Sequence, residues 1–213
     1  MATNFRLRKY MLTLAAVAIT IGLSAFTTMV VKDRTYVASE EFTPTLDATP
    51  TNVVVYYSRS GHSEAVAREV ARKLNAPIAK IAADYPLDFR GQRKAVSDAE
   101  SKVFPPIKIA PVDLSSSKRV YMVAPTWMFR PAPPLWTFVR QTDLTAKEVV
   151  LVLTGNSRFK QEEIEAFSRL VEAQGGRLLD SIFIRRGRIY WQMNRTELLQ
   201  AVDTRIDTPV AKP

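Results

Sequence analysis

Five short apolar runs, separated by stretches with a helical pattern, restrict the fold of this chain more than any other feature. The first run, residues 52–57 (NVVVYY), is almost continuously apolar, as expected for a central parallel strand that is buried on both faces. The other four strands are predicted at residues 77–82, 119–125, 147–154 and 177–185. Strands joined by helices predict a parallel sheet covered on both faces, and right-handed crossovers limit its topology to doubly wound forms.

Amphipathic helices are predicted between these strands. In the first helix, Val66, Val70 and Leu74 recur at a spacing of four residues and share one face. The segment 84–118 is polar and irregular, with a short helix predicted near residues 91–103. Three further helices are predicted at residues 133–141, 161–174 and 196–206.

In doubly wound sheets, ligands bind beyond the carboxyl ends of the strands, where the strand order reverses. Three loops follow strands at that edge, at residues 58–63, 125–131 and 154–159. We therefore expect these loops to lie side by side and to form the functional site.

The N-terminal region contains an apolar stretch, residues 10–31, of 22 residues without a charge. At ~1.5 Å per residue, a helix of this length matches the ~30 Å hydrocarbon core of a bilayer. A cleaved signal peptide is the alternative, but its apolar stretch would be shorter, and Ala25 offers only a poor cleavage site. The basic flanks of the stretch are Arg6, Arg8 and Lys9 before it and Lys32 and Arg34 after it. Because more basic residues precede the apolar stretch than follow it, the sequence favours a cytoplasmic amino terminus and an extracytoplasmic domain.

The sequence divides into an N-terminal membrane anchor (1–34), a linker (35–52), a folded domain (53–207) and a C-terminal tail (208–213). The linker is rich in Thr, Pro and acidic residues and has no periodicity, so it is predicted to be an extended tether.

Composition excludes several kinds of chemistry. The chain has no cysteine, and His62 is its single histidine, so thiolate catalysis and a multi-histidine metal site are excluded. The net charge is +9, and the modest basic surplus outside the anchor is consistent with an anionic membrane nearby. A basic cluster near Arg185 and Arg186 lacks the interleaved aromatic residues of a nucleic-acid site, so no nucleic-acid partner is predicted.

The loop after the first strand, residues 58–63 (SRSGHS), joins a strand end to a helix start. A helix start presents unpaired N–H groups and a partial positive charge, which together bind phosphate well. Gly61 permits a positive φ, and three serine hydroxyls can donate hydrogen bonds. A simple turn with Ser63 as N-cap is the alternative. The loop lacks the motifs of a nucleoside triphosphate or dinucleotide site.

This loop resembles the phosphate loop of flavodoxins and related FMN proteins, T/S-x-T/S-G-x-T/S, at Ser58, Ser60, Gly61 and Ser63. The segments VAPTWMFRPAPPLWTFV and LTAKEVVLVLTGNSRF resemble the third-strand and fourth-strand regions of that family, so the resemblance covers about residues 53–190. It implies a flavodoxin-like, doubly wound, five-stranded parallel sheet of order 2-1-3-4-5, here preceded by one transmembrane helix.

The resemblance also implies FMN as the cofactor. The phosphate would bind at the 58–63 loop, and Trp127 would stack on the isoalloxazine ring, although packing in the core is the alternative for this indole. The backbone of Thr154, Gly155 and Asn156 would approach the other edge of the ring. The candidate cofactor-binding residues are Ser58, Arg59, Ser60, Gly61, His62, Ser63, Pro125, Thr126, Trp127, Met128, Thr154, Gly155, Asn156, Arg158 and Phe159.

Three features depart from the family pattern. In the family, a second aromatic residue commonly covers the flavin ring from the fourth-strand loop. In this chain either Phe159 takes that place or that face of the ring is open. Arg158 would favour a negatively charged reduced ring and raise its potential. His62 is predicted to cap the loop rather than to donate a proton.

The leading interpretation is a membrane-anchored FMN protein that transfers electrons to a redox partner protein or a small acceptor such as a quinone. No catalytic residue, metal site or nicotinamide motif is identified. The alternative is a flavodoxin-fold accessory subunit of a membrane complex, without redox activity.

Overall fold

The computed structural model describes residues 2–45, 51–187 and 191–206; the predicted C-terminal tail lies outside these residues. The helices are α1 (Ala2–Arg34), α2 (His62–Leu74), α3 (Phe89–Glu100), α4 (Pro133–Gln141), α5 (Gln161–Ala173) and α6 (Arg195–Ile206). The strands are β1 (Asn52–Tyr57), β2 (Ile78–Ala82), β3 (Lys108–Ile109), β4 (Arg119–Trp127), β5 (Arg130–Pro131), β6 (Glu148–Gly155) and β7 (Arg177–Arg185).

The five long strands form a parallel sheet in the order β2-β1-β4-β6-β7. In β1, Val54 pairs with Ile78 of β2 on one side and with Tyr121 of β4 on the other. Counted over these strands, the order is the predicted 2-1-3-4-5 of a flavodoxin-like sheet. The order reverses between β1 and β4, so a cleft is expected beyond their carboxyl ends.

Over the described residues the sheet has seven strands rather than the predicted five. β3 pairs antiparallel with β2 at the sheet edge, and β5 pairs antiparallel with the end of β4. Each added strand has only two residues, which is too short to produce an apolar run in the sequence. β4 also continues to Trp127, two residues beyond its predicted end, because pairing with β5 extends it.

Two apolar layers cover the two faces of the sheet. Val53 and Val55 of β1 point into a layer completed by α4 and α5, including the fully buried Phe138 and Phe167. Val54 points into the opposite layer, which α2 and α6 complete. Burying a side chain of this size stabilises the fold by about 1.5–3 kcal/mol, so the unbroken apolar run of β1 follows from its central position.

Most apolar side chains of the N-terminal helix α1 are exposed. The stretch Arg6–Lys32 has a mean hydropathy of 2.1, and none of its apolar window is buried. By length and composition α1 can cross a membrane, and a signal sequence has the same properties.

Residues 36–45, part of the predicted linker, lie along the surface of the domain; we call them the strap. Val37 N–H donates to Ser60 O over 3.1 Å, and the Tyr36 hydroxyl donates to Glu64 over 2.6 Å. At the other end of the strap, Thr45 N–H donates to the Asn75 side chain over 3.0 Å. Hydrogen bonds made by single residues produce no periodic pattern in the sequence. The sequence therefore indicated only an extended tether.

Candidate functional site

A cleft of about 320 Å³ opens at the carboxyl ends of β1, β4 and β6. The structure brings all three predicted loops together there. The predicted residues that line the cleft are Ser58, Arg59, Ser60, His62, Ser63, Pro125, Thr126, Trp127, Met128, Thr154, Gly155, Asn156 and Arg158. This volume lies in the range of small-molecule and cofactor sites.

The loop after β1 leaves the start of α2 without a side-chain cap. Gly61 is the N-cap residue with φ +88°, a left-handed conformation that favours glycine. Ser58 turns inward, and its Oγ accepts the Gly61 N–H over 3.0 Å. Since no side chain caps the helix, the first N–H groups of α2 remain able to bind an anion.

The loops after β1 and β6 are joined by a buried hydrogen bond. Ser63 Oγ lies 2.8 Å from Thr154 Oγ1, and both side chains are buried. The neighbouring Gly155 permits close packing of the strand ends, because a Cβ there would lie 2.2 Å from Thr126 Oγ1. The relative position of the two loops is thereby fixed.

Arg59 connects the 58–63 loop to the segment before α3 and to the first turn of α3. Its guanidinium donates to the carbonyl oxygens of Tyr85, Pro86 and Asp88 and to the side chain of Gln92. Its charge is therefore shared with these acceptors, and the side chain positions the wall of the cleft.

Trp127 stands at the end of β4 with its indole held by two tyrosines. Its ring makes edge contacts with Tyr57 at 5.5 Å and with Tyr85 at 4.9 Å between centroids. Such contacts restrict the orientation of the ring. The indole is half-buried and also lines the cleft, so it combines core packing with an accessible surface.

A tight hairpin places two further side chains at the cleft. Met128 and Phe129 form the two-residue turn between β4 and β5, with φ +48° and +68°. Bulky residues rarely adopt such angles, and they do so where the surrounding structure enforces the turn. The enforcing residue is the buried Arg130, which pairs with Glu163 at 3.0 Å and donates to Ala99 O.

Phe159 and Gly61 are the two predicted residues that do not line the cleft. Phe159 packs edge-to-face against Phe183, with ring centroids 5.4 Å apart, in the core beneath the loop. Gly61 lies against the strap, where a Cβ would be 2.0 Å from Val37 O. In place of Phe159, the structure presents Phe129, whose ring lies 5.2 Å from the Arg158 guanidinium.

Six lining residues were not predicted, namely Gln92, Ala95, Val96, Phe129, Ser157 and Arg186. Ser157 and Phe129 lie within the predicted loops 154–159 and 125–131, although they were not among the candidate cofactor-binding residues. The α3 residues and Arg186 come from segments without a recognised motif, and only the tertiary fold brings them to the cleft.

The cleft is electropositive. It is lined by three arginines and a histidine, and the described residues that line it include no Asp or Glu. The buried Arg186 guanidinium donates to the Asn156 side chain over 3.1 Å. Burial, together with the positive charges of Arg186, Arg195 and Lys32, lowers the pKa of His62 to about 4. His62 is thus neutral at pH 7, and its Nε2 is buried with no hydrogen-bond partner among the described residues.

Comparison with protein families and with curated proteins finds no match. Solved structures do resemble the chain. A flavoprotein from Lactobacillus acidophilus NCFM in complex with FMN has 17% sequence identity and a TM-score of 0.55, over 63% of this chain and 93% of that chain. The apo form of the flavoprotein from the same organism has 16% identity and a TM-score of 0.51, over 72% and 100% of the two chains. A candidate flavoprotein from Bacteroides uniformis ATCC 8492 has 18% identity and a TM-score of 0.57, over 72% and 97%.

These similarities agree with the strand order. The chain has a flavodoxin-like fold, as the sequence predicted, with a cleft at the switch point of its sheet.

Proposed function

We propose that the cleft binds FMN and that the chain is a membrane-anchored flavoprotein that transfers electrons. One observation carries this proposal: the uncapped start of α2, with Ser60 and Ser63 beside it, faces the same carboxylate-free cleft as Trp127. A phosphate site and an aromatic platform in one cleft suit a ligand that has a phosphate at one end and a planar ring at the other.

The residues at the phosphate end fit this group. The N–H groups of α2 and the serine hydroxyls are donors, and phosphate oxygens are acceptors. His62 Nε2 is buried without a partner among the described residues, so a phosphate oxygen near it would supply one. Arg186 adds positive charge from the neighbouring loop.

The residues at the ring end fit as well. Trp127 offers an indole whose orientation the two tyrosines restrict. Thr126 and Asn156 offer polar groups, and Gly155 also lines the cleft. When bound, FMN supplies the electron-transfer chemistry. The chain would orient the ring, limit its contact with water and set the charge around it.

The resemblance to a flavoprotein in complex with FMN supports the proposal at the level of the fold. We infer further that α1 anchors the domain in a membrane, with the domain on the extracytoplasmic side. The electron acceptor or donor would be a membrane redox partner protein or a small molecule such as a quinone. Anchoring would raise the effective concentration of the domain at such a partner.

The test is a titration of the full chain in detergent with FMN and, in parallel, with riboflavin, which lacks the phosphate. We expect FMN to bind more tightly than riboflavin. Ser60→Ala should weaken FMN binding by about 0.5–1.5 kcal/mol for the lost hydrogen bond and leave riboflavin binding unchanged. Ser168→Ala on α5, outside the cleft, is the matched control.

Absence of flavin binding under conditions where circular dichroism shows a folded domain would overturn the proposal. A flavin-free domain of this kind would instead favour the accessory subunit without redox activity.

A further inference from the structure

We propose that the domain rests directly on an anionic bilayer through a defined surface, which we call the interfacial face. Its residues are Lys32, Arg34, Phe89, Arg93, Trp191 and Arg195. This inference rests on the membrane anchor of the proposed function. It adds the orientation of the domain and the lipid chemistry that the face recognises.

The connection between α1 and the domain is too short to let the domain move away from the bilayer. α1 ends at Arg34, and Tyr36 already donates a hydrogen bond to Glu64 of α2 over 2.6 Å. Two residues span at most about 7 Å. The next residue, Val37, bonds to the backbone of Ser60, so the phosphate loop lies beside the end of the anchor.

The Tyr36 contact joins a buried ionic cluster. Burial opposes ionisation of Glu64, but the hydrogen bond from Tyr36 and the charges of Lys80 and Arg68 outweigh it and lower its pKa. Arg68 pairs with Glu64 at 2.7 Å and also donates to Ser39 O of the strap over 3.0 Å. Removing Tyr36 from this cluster would leave a buried carboxylate with one donor fewer, so the strap is held firmly.

Further contacts fix the rotation of the domain about the end of α1. Arg195 of α6 donates to Ala38 O over 2.6 Å and to Val37 O over 3.2 Å. Farther along the strap, Asn75 Nδ2 donates to Thr45 Oγ1 over 2.7 Å. Because the strap is attached to α2 and α6 at several points, the end of α1 is held beside one defined surface of the domain.

Two large aromatic side chains on that side are exposed. Phe89, at the start of α3, is 60% exposed, and the Arg34 guanidinium at the end of α1 lies 5.7 Å from its ring. Trp191 is 81% exposed and lies between the cleft residue Arg186, whose carbonyl oxygen accepts the Met193 N–H over 2.7 Å, and the strap-binding Arg195. Tryptophan, whose indole has one polar edge, is favoured at the membrane interface, and phenylalanine can insert its apolar ring at the same boundary.

The charge of the interfacial face fits an anionic headgroup layer. Lys32 and Arg34 lie at the end of α1, Arg93 lies 6.0 Å from the Phe89 ring, and Arg195 starts α6. Among the nearby carboxylates, Asp88 and Glu197 accept backbone N–H bonds at the starts of α3 and α6, whereas Glu40 and Glu41 of the strap are exposed and offset part of the positive charge. Basic side chains next to a membrane span are attracted to anionic lipids, and exposed aromatic residues beside them insert at the boundary.

This placement brings the cleft close to the membrane surface. Gln92 lines the cleft and lies one turn from Phe89 on α3, and the Ser60 loop lies under the strap. A partner that binds at the cleft would therefore approach it at the level of the lipid headgroups.

The experiment uses the full chain in vesicles made of equal parts phosphatidylcholine and phosphatidylglycerol. Tryptophan emission is compared with and without lipids that are brominated near the headgroup end of the acyl chain. We expect the bromolipids to quench the emission and Trp191→Phe to abolish the quenching, since Trp136 is buried and Trp127 lies within the cleft. Phe89→Trp in the Trp191→Phe background should restore it.

The control is Glu172→Trp in the same background, because Glu172 lies near the end of α5, at the amino ends of the strands and therefore at the opposite end of the sheet from the cleft. It should show no quenching by bromolipids. Replacing phosphatidylglycerol with phosphatidylcholine should reduce the quenching of Trp191.

Flotation of the chain with the vesicles is measured in parallel. A chain that does not float overturns both the anchor and the interfacial face. A chain that floats while Trp191 stays accessible to aqueous iodide and is not quenched by bromolipid overturns the interfacial face alone. FMN binding, measured separately, is unaffected by either result.

Discussion

Ser63 Oγ lies 2.8 Å from Thr154 Oγ1, although the two residues are 91 positions apart in the chain. Ser63 belongs to the first turn of α2, and Thr154 belongs to the end of β6. The contact therefore joins the wall of the cleft formed by the 58–63 loop to the wall formed by the end of β6. Because both hydroxyls are buried, the loss of either leaves the other without its partner.

A double-mutant cycle tests this connection. Ser63→Ala and Thr154→Val should each destabilise the domain by about 1–2 kcal/mol, since a buried hydroxyl loses its partner. The double variant should lose less stability than the two single variants added together. The difference, which is the coupling energy, should be about 0.5–1.5 kcal/mol. Urea unfolding of the four proteins measures the coupling, and strictly additive effects would contradict the hydrogen bond.

His62 is expected to make the domain less stable in weak acid. Its pKa is lowered from 6.5 to about 4, first by burial and then by nearby positive charges. Between these values the unfolded chain binds a proton that the folded chain does not, so stability falls as the pH decreases through this window. After an allowance for solvent screening, we expect a loss of about 1–2 kcal/mol.

The measurement is the free energy of unfolding at pH 7.5 and pH 5 for the original chain and for His62→Asn. Asparagine does not titrate, so this variant should lose less stability between the two conditions. Equal losses in both proteins would show that His62 does not carry the effect.

The sheet could be predicted from the sequence because its signal is local. Val53 to Tyr57 are buried on both faces of a central strand, and only apolar side chains satisfy that position. The strands β3 and β5 were missed because two residues produce no pattern. The Met128–Phe129 turn also lacks the glycine or asparagine that marks hairpins of this type, since Arg130 enforces it through distant contacts.

Part of the cleft could also be predicted, because the sequence signal that marks its loops is local. Loops that follow strands were identified because strand ends are visible in the sequence. Arg186 and Gln92 reach the cleft through tertiary packing, and no spacing rule connects them to the 58–63 loop. The attachment of the strap depends on single side chains such as Tyr36, whose partner Glu64 is 28 residues away.

Gly61→Ala should damage both the fold and the site. A φ of +88° costs a residue with a Cβ about 1–2 kcal/mol. In addition, the new Cβ would lie 2.0 Å from Val37 O, so the strap would have to shift. We expect a total loss of about 2–4 kcal/mol. Gly22→Ala is the control, because a Cβ there meets no atom within 4 Å. Thermal and urea unfolding in detergent compare the two, and equal stabilities would contradict the strained contact.

Trp127 is expected to hold the flavin through its ring face. Trp127→Ala should weaken FMN binding by about tenfold or more, equivalent to about 1.4 kcal/mol. Trp127→Phe keeps an aromatic surface and should remain within about threefold of the original affinity. Fluorescence titration measures both, and circular dichroism confirms that the contacts with Tyr57 and Tyr85 have not been lost through unfolding. Similar affinities for the alanine variant and the original chain would limit Trp127 to core packing.

Arg158 is expected to raise the midpoint potential of bound FMN. Its side chain is exposed, lines the cleft and lies 5.2 Å from the Phe129 ring, so its charge is held near the site. A nearby cation stabilises a reduced, negatively charged ring. Removing the cation in Arg158→Ala should therefore lower the midpoint potential by on the order of 10–20 mV for a two-electron couple.

Arg158→Lys keeps the charge, so its midpoint potential should stay close to that of the original chain. The difference between the alanine and lysine variants should shrink at high salt, because exposed charges are screened. Spectroscopic redox titration at low and high salt measures these shifts, and an unchanged potential in Arg158→Ala at low salt would exclude an electrostatic role for this residue.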